Sequence, residues 1–143
     1  MDPFEKKVIE KAVLVGLNAA IFSKEENATD ETLDELEALL ETAGGQCMAK
    51  VLQNRATPDP HSFIGEGKVE EVKELLQTTE ATLVVFDNDL SPSQQRALEQ
   101  MTGVMVMDRS GLILDIFAQR AIVAMIFTNY YPLNTVERLT PRF

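Results

Sequence analysis

Four short runs of β-branched and aliphatic residues alternate with helical patterns along this chain, and that alternation constrains the fold more than any other feature. The runs fall at residues 11–17, 48–52, 82–86 and 104–107. Strands separated by helices cannot pair as hairpins, so they form strand–helix–strand units and a parallel sheet. Between the first two runs, Thr29 is placed to cap a helix whose apolar positions Leu33, Leu36, Leu39, Leu40 and Ala43 share one face, and Gly44 and Gly45 end it. A second amphipathic helix begins near Gly67, with Val69, Val72, Leu75 and Leu76 on one side. The third run is apolar throughout, as a strand covered on both faces must be. It leads to Ser91, Pro92 and Gln94, a cap, a first helical residue and a capping-box partner, and Gly103 closes that helix.

Residues 108–111, Asp-Arg-Ser-Gly, open a last helix from Leu112 that is apolar nearly all round as far as residue 127. Such a helix is expected to be buried against the sheet, another helix or a second chain. The expected architecture is therefore a small, mainly parallel four-stranded α/β sheet flanked by helices. It divides into an α/β domain over residues 1–109 and a C-terminal helical extension over 110–143.

At 143 residues with 45% apolar composition, the chain suffices for one globular domain. Its 13 basic and 23 acidic residues leave a net charge of −10, which disfavours broad nucleic-acid binding and leaves only a local patch for phosphate contact. All six arginines, Arg55 to Arg142, lie in the second part of the chain. Cys47 is the only cysteine and His61 the only histidine, so neither an intrachain disulfide nor a Cys/His zinc site can form, and a reducing cytoplasm fits. The apolar stretch at 112–127 is interrupted by Asp115, Gln119 and Arg120, too early for the ~18 apolar residues of a membrane span. The N-terminus carries no signal pattern.

The loops after parallel strands gather at one edge of the sheet, where ligands of such folds bind. Here those loops hold Gln53, Arg55, Gly65, Gly67, Lys68, Asp87, Asn88, Asp89, Asp108 and Arg109. The segment Gly65-Glu-Gly-Lys68 invites a phosphate-loop reading, because glycines before a helix expose N–H groups to an anion. The spacing refuses it, since no Gly stands six residues before Lys68 and Val69 stands where a Walker loop needs Ser or Thr. Asp87, Asp89 and Asp108 invite Mg²⁺, yet the loop after the first strand lacks the acids of a receiver pocket, and turn and capping roles suit these residues better. Asp108 to Gly111 matches the Asp-x-x-Gly of GTPases, without the phosphate loop or Asn-Lys-x-Asp that would accompany it. Cys47 reads as packing material at a strand start, so no catalytic residue is assigned.

Taken together, Thr42-Ala-Gly-Gly45, Gln53-Asn-Arg55, Pro58-Asp-Pro60, the segment from Phe63 to Glu71, the segment from Phe86 to Gln94 and the segment from Asp108 to Ala121 resemble the N-terminal domain of the HflX-type GTPases. The resemblance spans about residues 11–121. It implies a three-part protein: this α/β domain, a two-helix arm, and a GTPase domain that uses GTP and Mg²⁺. It further implies action on the large ribosomal subunit, both rRNA and protein, in splitting or rescuing ribosomes. On that reading the fragment has no GTPase activity and no cofactor of its own. Arg55, Lys68, Arg96 and Arg109 are its candidate phosphate contacts, and its partners are the ribosomal subunit and its own GTPase domain. The alternative is an ATP- and Mg²⁺-binding domain with weak hydrolase activity, using Gly65, Gly67, Lys68, Asp87, Asp89 and Asp108. A homodimer through the 112–127 helix is a further expectation. After Ala121 the sequence departs from the family pattern, and Pro132 would break the arm helix.

Overall fold

The computed structural model describes residues 10–118. In chain order it contains β1 (Glu10–Ala19), α1 (Asp30–Thr42), β2 (Gly45–Arg55), α2 (Glu66–Thr79), β3 (Leu83–Phe86), α3 (Pro92–Thr102) and β4 (Met105–Asp108). A last helix, α4, follows over residues 109–118. The four strands form one sheet in the order β2-β1-β3-β4, and every pairing is parallel. The α/β architecture read from the alternation of runs is the one observed.

The winding reverses after β2. The chain moves outward from β1 to β2, then returns across β1 to place β3 and β4 on the other side. Because crossovers of parallel strands keep one hand, that reversal puts α1 on the opposite face from α2 and α3. On one face α2 and α3 bury Val69, Val72, Leu76 and Leu98 against Val13, Val15, Leu17, Val84 and Phe86. On the other, α1 and α4 bury Leu33, Leu36, Leu40 and Leu112 against Ala12, Leu14, Leu83 and Val85. β1 is thus covered on both sides, and residues 12–17 are all buried. Its Gly16 is required by packing, since a Cβ there would sit 2.6 Å from that of Ala28.

β1 and β2 are longer than their apolar runs. The ladder between them continues through Leu17 to Gln53, Asn18 to Asn54 and Ala19 to Arg55, so backbone pairing carries the strands into polar sequence. Each sheet edge is blunted. The register shift opposite Ala12 and Val13 puts a bulge into β2. On β4 the Val106 N–H donates to Glu99 Oε2 at 3.3 Å, and its carbonyl accepts from Gln95 Nε2 at 2.8 Å.

Helix starts follow their capping residues. Thr29 caps α1 and exchanges hydrogen bonds with Thr32, and Ser91 does the same with Gln94 at α3. α2 starts at Glu66 with Gly65 as cap, its N–H donating to Gln53 Oε1 at 2.9 Å. Leu112 is buried, but Leu114 is 68% and Phe117 46% exposed, so among the described residues this chain covers only one side of α4. Leu112 packs with α1 on one face of the sheet. The remainder of the expected apolar helix, to residue 127, and the divergent tail lie outside the described residues.

Candidate functional site

The strand order reverses between β1 and β3, and at such a switch point the loops leaving the two strand ends part and leave a crevice. A cleft of about 480 Å³ lies there. Phe22, Glu25, Glu26 and Asn27 from the loop after β1 form one side, Asp87, Asn88 and Asp89 after β3 the back, and Thr32 and Glu35 of α1 with Arg109, Ser110 and Ile113 of α4 the other side. Phe63 closes the floor, stacked on Phe22 at 6.2 Å and edge-on to Phe86 at 6.0 Å.

Phe63 holds a left-handed backbone, φ 64°, which costs a bulky residue energy and persists where surroundings enforce it. The surroundings are a tight loop in which the backbones of Asp59 and Phe63 exchange two 2.9 Å hydrogen bonds. Asp59 Oδ1 also accepts from the N–H groups of His61 at 2.8 Å and Ser62 at 3.0 Å. Those bonds, Ser62's foremost, hold the Asp59 carboxyl below the usual carboxylate range.

The back wall is a polar network. Asn88 Oδ1 accepts from Leu17 N–H at 2.8 Å, while its Nδ2 donates to Leu17 O at 2.9 Å and Glu26 O at 3.0 Å. Asn27 Oδ1 accepts from Ala19 N–H at 2.8 Å, and Ser23 N–H donates to Glu26 Oε1 at 3.1 Å. The bonds from Ser23 lower the Glu26 carboxyl pKa. The Asp87 side chain is 3% exposed. It accepts from Arg109 Nε at 2.8 Å, from Arg109 Nη2 and from Thr32 Oγ1. Arg109 Nη2 also donates to Thr32 O at 2.7 Å.

The expected edge residues are therefore distributed. Asp87, Asp89 and Arg109 line the cleft. Asp108 caps α4, accepting from Gly111 N–H at 2.8 Å, and takes Leu90 N–H at 3.1 Å. Asp89 accepts from Ser110 Oγ at 2.8 Å. Gly65, Gly67 and Lys68 belong instead to the start of α2 and do not line the cleft. Arg55 reaches over that start, its Nη1 2.5 Å from where a Cβ on Gly65 would lie, and Lys68 pairs with Glu71 at 2.8 Å. Arg96 is exposed on α3. Among the described residues no group of three His, Cys, Asp or Glu side chains is placed to hold a metal ion, and no helix is long and apolar enough to cross a membrane.

Sequence reasoning put Asn88 on the polar edge without a role and did not single out Thr32, Glu35, Phe22 or Phe63. Thr32 carries one readable signal, a hydroxyl three residues after the cap Thr29 where a Glu or Gln is usual. The aromatic floor carries none, because the two phenylalanines are 41 residues apart and meet only through the fold.

Five carboxylates line the cleft against one guanidinium, which Asp87 already neutralises. A polyphosphate entering it would face net repulsion.

The profile described as GTP-binding GTPase N-terminal matches residues 30–118. The chain is 43% identical over 117 residues to the GTPase HflX of Lacrimispora saccharolytica, covering 82% of this chain and 27% of that protein. It is 44% identical over 112 residues to the GTPase HflX of Escherichia coli strain K12, covering 78% and 25%. Among solved structures, a GTP-binding protein from Sulfolobus solfataricus in complex with GDP superposes with TM-score 0.55 at 18% identity, covering 92% of this chain and 41% of that one, a likeness of fold. The chain spans about a quarter of the length of the curated relatives it matches. With the profile extending from the first residue of α1 into α4, this chain belongs to the GTP-binding GTPase N-terminal family and corresponds to the N-terminal domain of HflX.

Proposed function

We propose that this chain is the docking and regulatory domain of an HflX-like GTP-binding protein that acts on the large ribosomal subunit in ribosome splitting or rescue, and that it hydrolyses no GTP itself. The observation that carries the reading is the conjunction of the family match with a sequence in which no phosphate loop occurs. The relatives are named GTPases, and this chain spans only about a quarter of their length. GTP and Mg²⁺ then belong to a GTPase domain beyond the matched region, with α4 beginning the arm that leads to it.

Contact with rRNA phosphates falls to the local cations. Arg55 and Lys68 flank the start of α2, whose N–H groups add a partial positive charge, and Arg96 is exposed on α3. Arg109 is the fourth candidate, though its guanidinium is engaged with Asp87. Net charge of −10 confines such contact to these few positions.

The test is pull-down of the chain with isolated large subunits at two salt concentrations, beside the charge reversals Arg55→Glu, Lys68→Glu and Arg96→Glu. Each reversal is expected to weaken binding and to lower the salt slope by about 1 for each phosphate that is no longer neutralised. Binding that ignores all three reversals would remove this patch as the docking surface.

A further inference from the structure

We propose that Thr32, Asp87 and Arg109 form a latch that fixes the direction in which α4 leaves the domain. α4 is the element through which this domain connects to whatever follows residue 118. Among the described residues of α4 only Leu112 is buried, Ile113 and Ile116 are half-buried, and Leu114 is 68% exposed. Its first residue, Arg109, is by contrast held at several points. The guanidinium donates through Nε and Nη2 to Asp87 Oδ1 and through Nη2 to the Thr32 carbonyl, and Nη1 lies 3.9 Å from Glu35 Oε2.

Asp87 stands at the end of β3 and Thr32 in the first turn of α1, so one carboxylate ties the sheet, α1 and α4 together. Its other oxygen accepts from the Thr32 hydroxyl, which fixes the plane of the carboxylate and with it the place of the Oδ1 that Arg109 meets. Two donors converging on one oxygen specify an angle as well as a distance. The direction of α4 is thus set by polar geometry together with the packing of Leu112. Both residues line the cleft, but Arg109 is 26% exposed and the Asp87 side chain 3%, so the latch is approached through Arg109. The latch is a property of this chain, and its service as a lever for a GTPase domain rests on the function proposed above.

The experiment places nitroxide labels at Ala38→Cys on α1 and Ala118→Cys on α4 of the full chain, in a Cys47→Ser background, and reads the distance distribution by pulsed dipolar spectroscopy. Both label sites are exposed. The unaltered latch should give one narrow distance. Thr32→Val and Arg109→Lys, which leave Asp87 partnered by a cation, should each add a second population or shift the first, and Asp87→Asn should do so more strongly. Leu36→Ala, which loosens the core without touching the latch, should lower the melting temperature and leave the distance unchanged. If Asp87→Asn does not fold, the first two variants decide. An undisplaced, equally narrow distance in Thr32→Val and Arg109→Lys, with only stability lowered, would overturn the latch while leaving ribosome docking intact. Loss of subunit binding with the distances as expected would strike the functional reading instead.

Discussion

Asn88 pairs with Leu17 as a further strand residue would: its amide oxygen takes the Leu17 N–H at 2.8 Å and its amide nitrogen meets the Leu17 carbonyl at 2.9 Å. β3 ends at Phe86, so at Leu17 no β3 backbone remains for β1 to pair with, and a side chain takes its place. The same nitrogen reaches the Glu26 carbonyl and so draws the loop after β1 into the crevice wall. Both Asn88 and Leu17 are buried, which makes the exchange one that water cannot replace.

Replacing Asn88 by Ala should therefore cost about 3 kcal/mol, since a buried N–H and a buried carbonyl lose their partners together. Chemical denaturation with an unchanged slope would register it. A loss below about 0.5 kcal/mol would mean that water repairs the gap.

Gly67 sits at the second position of α2, and a Cβ there would meet nothing within 4 Å. Gly67→Ala should raise stability by about 0.5–1 kcal/mol through helix propensity and a less flexible unfolded chain. If the residue instead exists to let a phosphate approach, the variant will lose subunit affinity. Measuring both quantities on one variant separates the two roles.

Asp59 gives a pH signature of known sign. Its carboxyl is held down first by the Ser62 N–H and then by that of His61, so the folded state favours the ionised form. A lowered folded value stabilises above the unfolded pKa, about 4, and that contribution disappears as pH falls through the folded one. Asn at this position accepts the same bonds without a charge. The stability advantage of the natural protein over Asp59→Asn should be constant from pH 8 to about 5 and shrink below about 4. An advantage that grows on acidification would contradict the assignment.

Burial pushes the Cys47 thiol up, and the nearby Glu37 carboxylate pushes it further, with Lys50 acting in the opposite sense. Less thiolate means slower alkylation. At pH 8 the folded protein should react with iodoacetamide more slowly than glutathione does, and denaturant should abolish the difference. A rate equal to that of free thiol in the native state would place Cys47 elsewhere than at the start of β2.

The parallel sheet was legible because its cause is local. Apolar runs alternate with capped helices, and Thr29, Ser91, Pro92 and Gly103 mark helix ends wherever they occur. The cleft was legible only in part. Asp87, Asp89 and Arg109 follow strands, so topology alone delivers them to one edge, and which of them meet depends on the winding reversal after β2. Gly65 and Lys68 also follow a strand, yet they open α2, on the far face of the sheet from α1 and α4. The stacking of Phe22 on Phe63 depends on a left-handed backbone at Phe63 that no residue preference announces. The apolar pattern of α4 reported a face needing cover and could not say what covers it.

On the function proposed above, this polypeptide positions a GTPase rather than being one. Turnover of GTP by the purified 143-residue chain, in Mg²⁺ and with and without large ribosomal subunits, tests it most directly. The rate should be indistinguishable from that of the same mixture without the chain in both conditions. Sustained hydrolysis by the chain alone, surviving repurification, would contradict it.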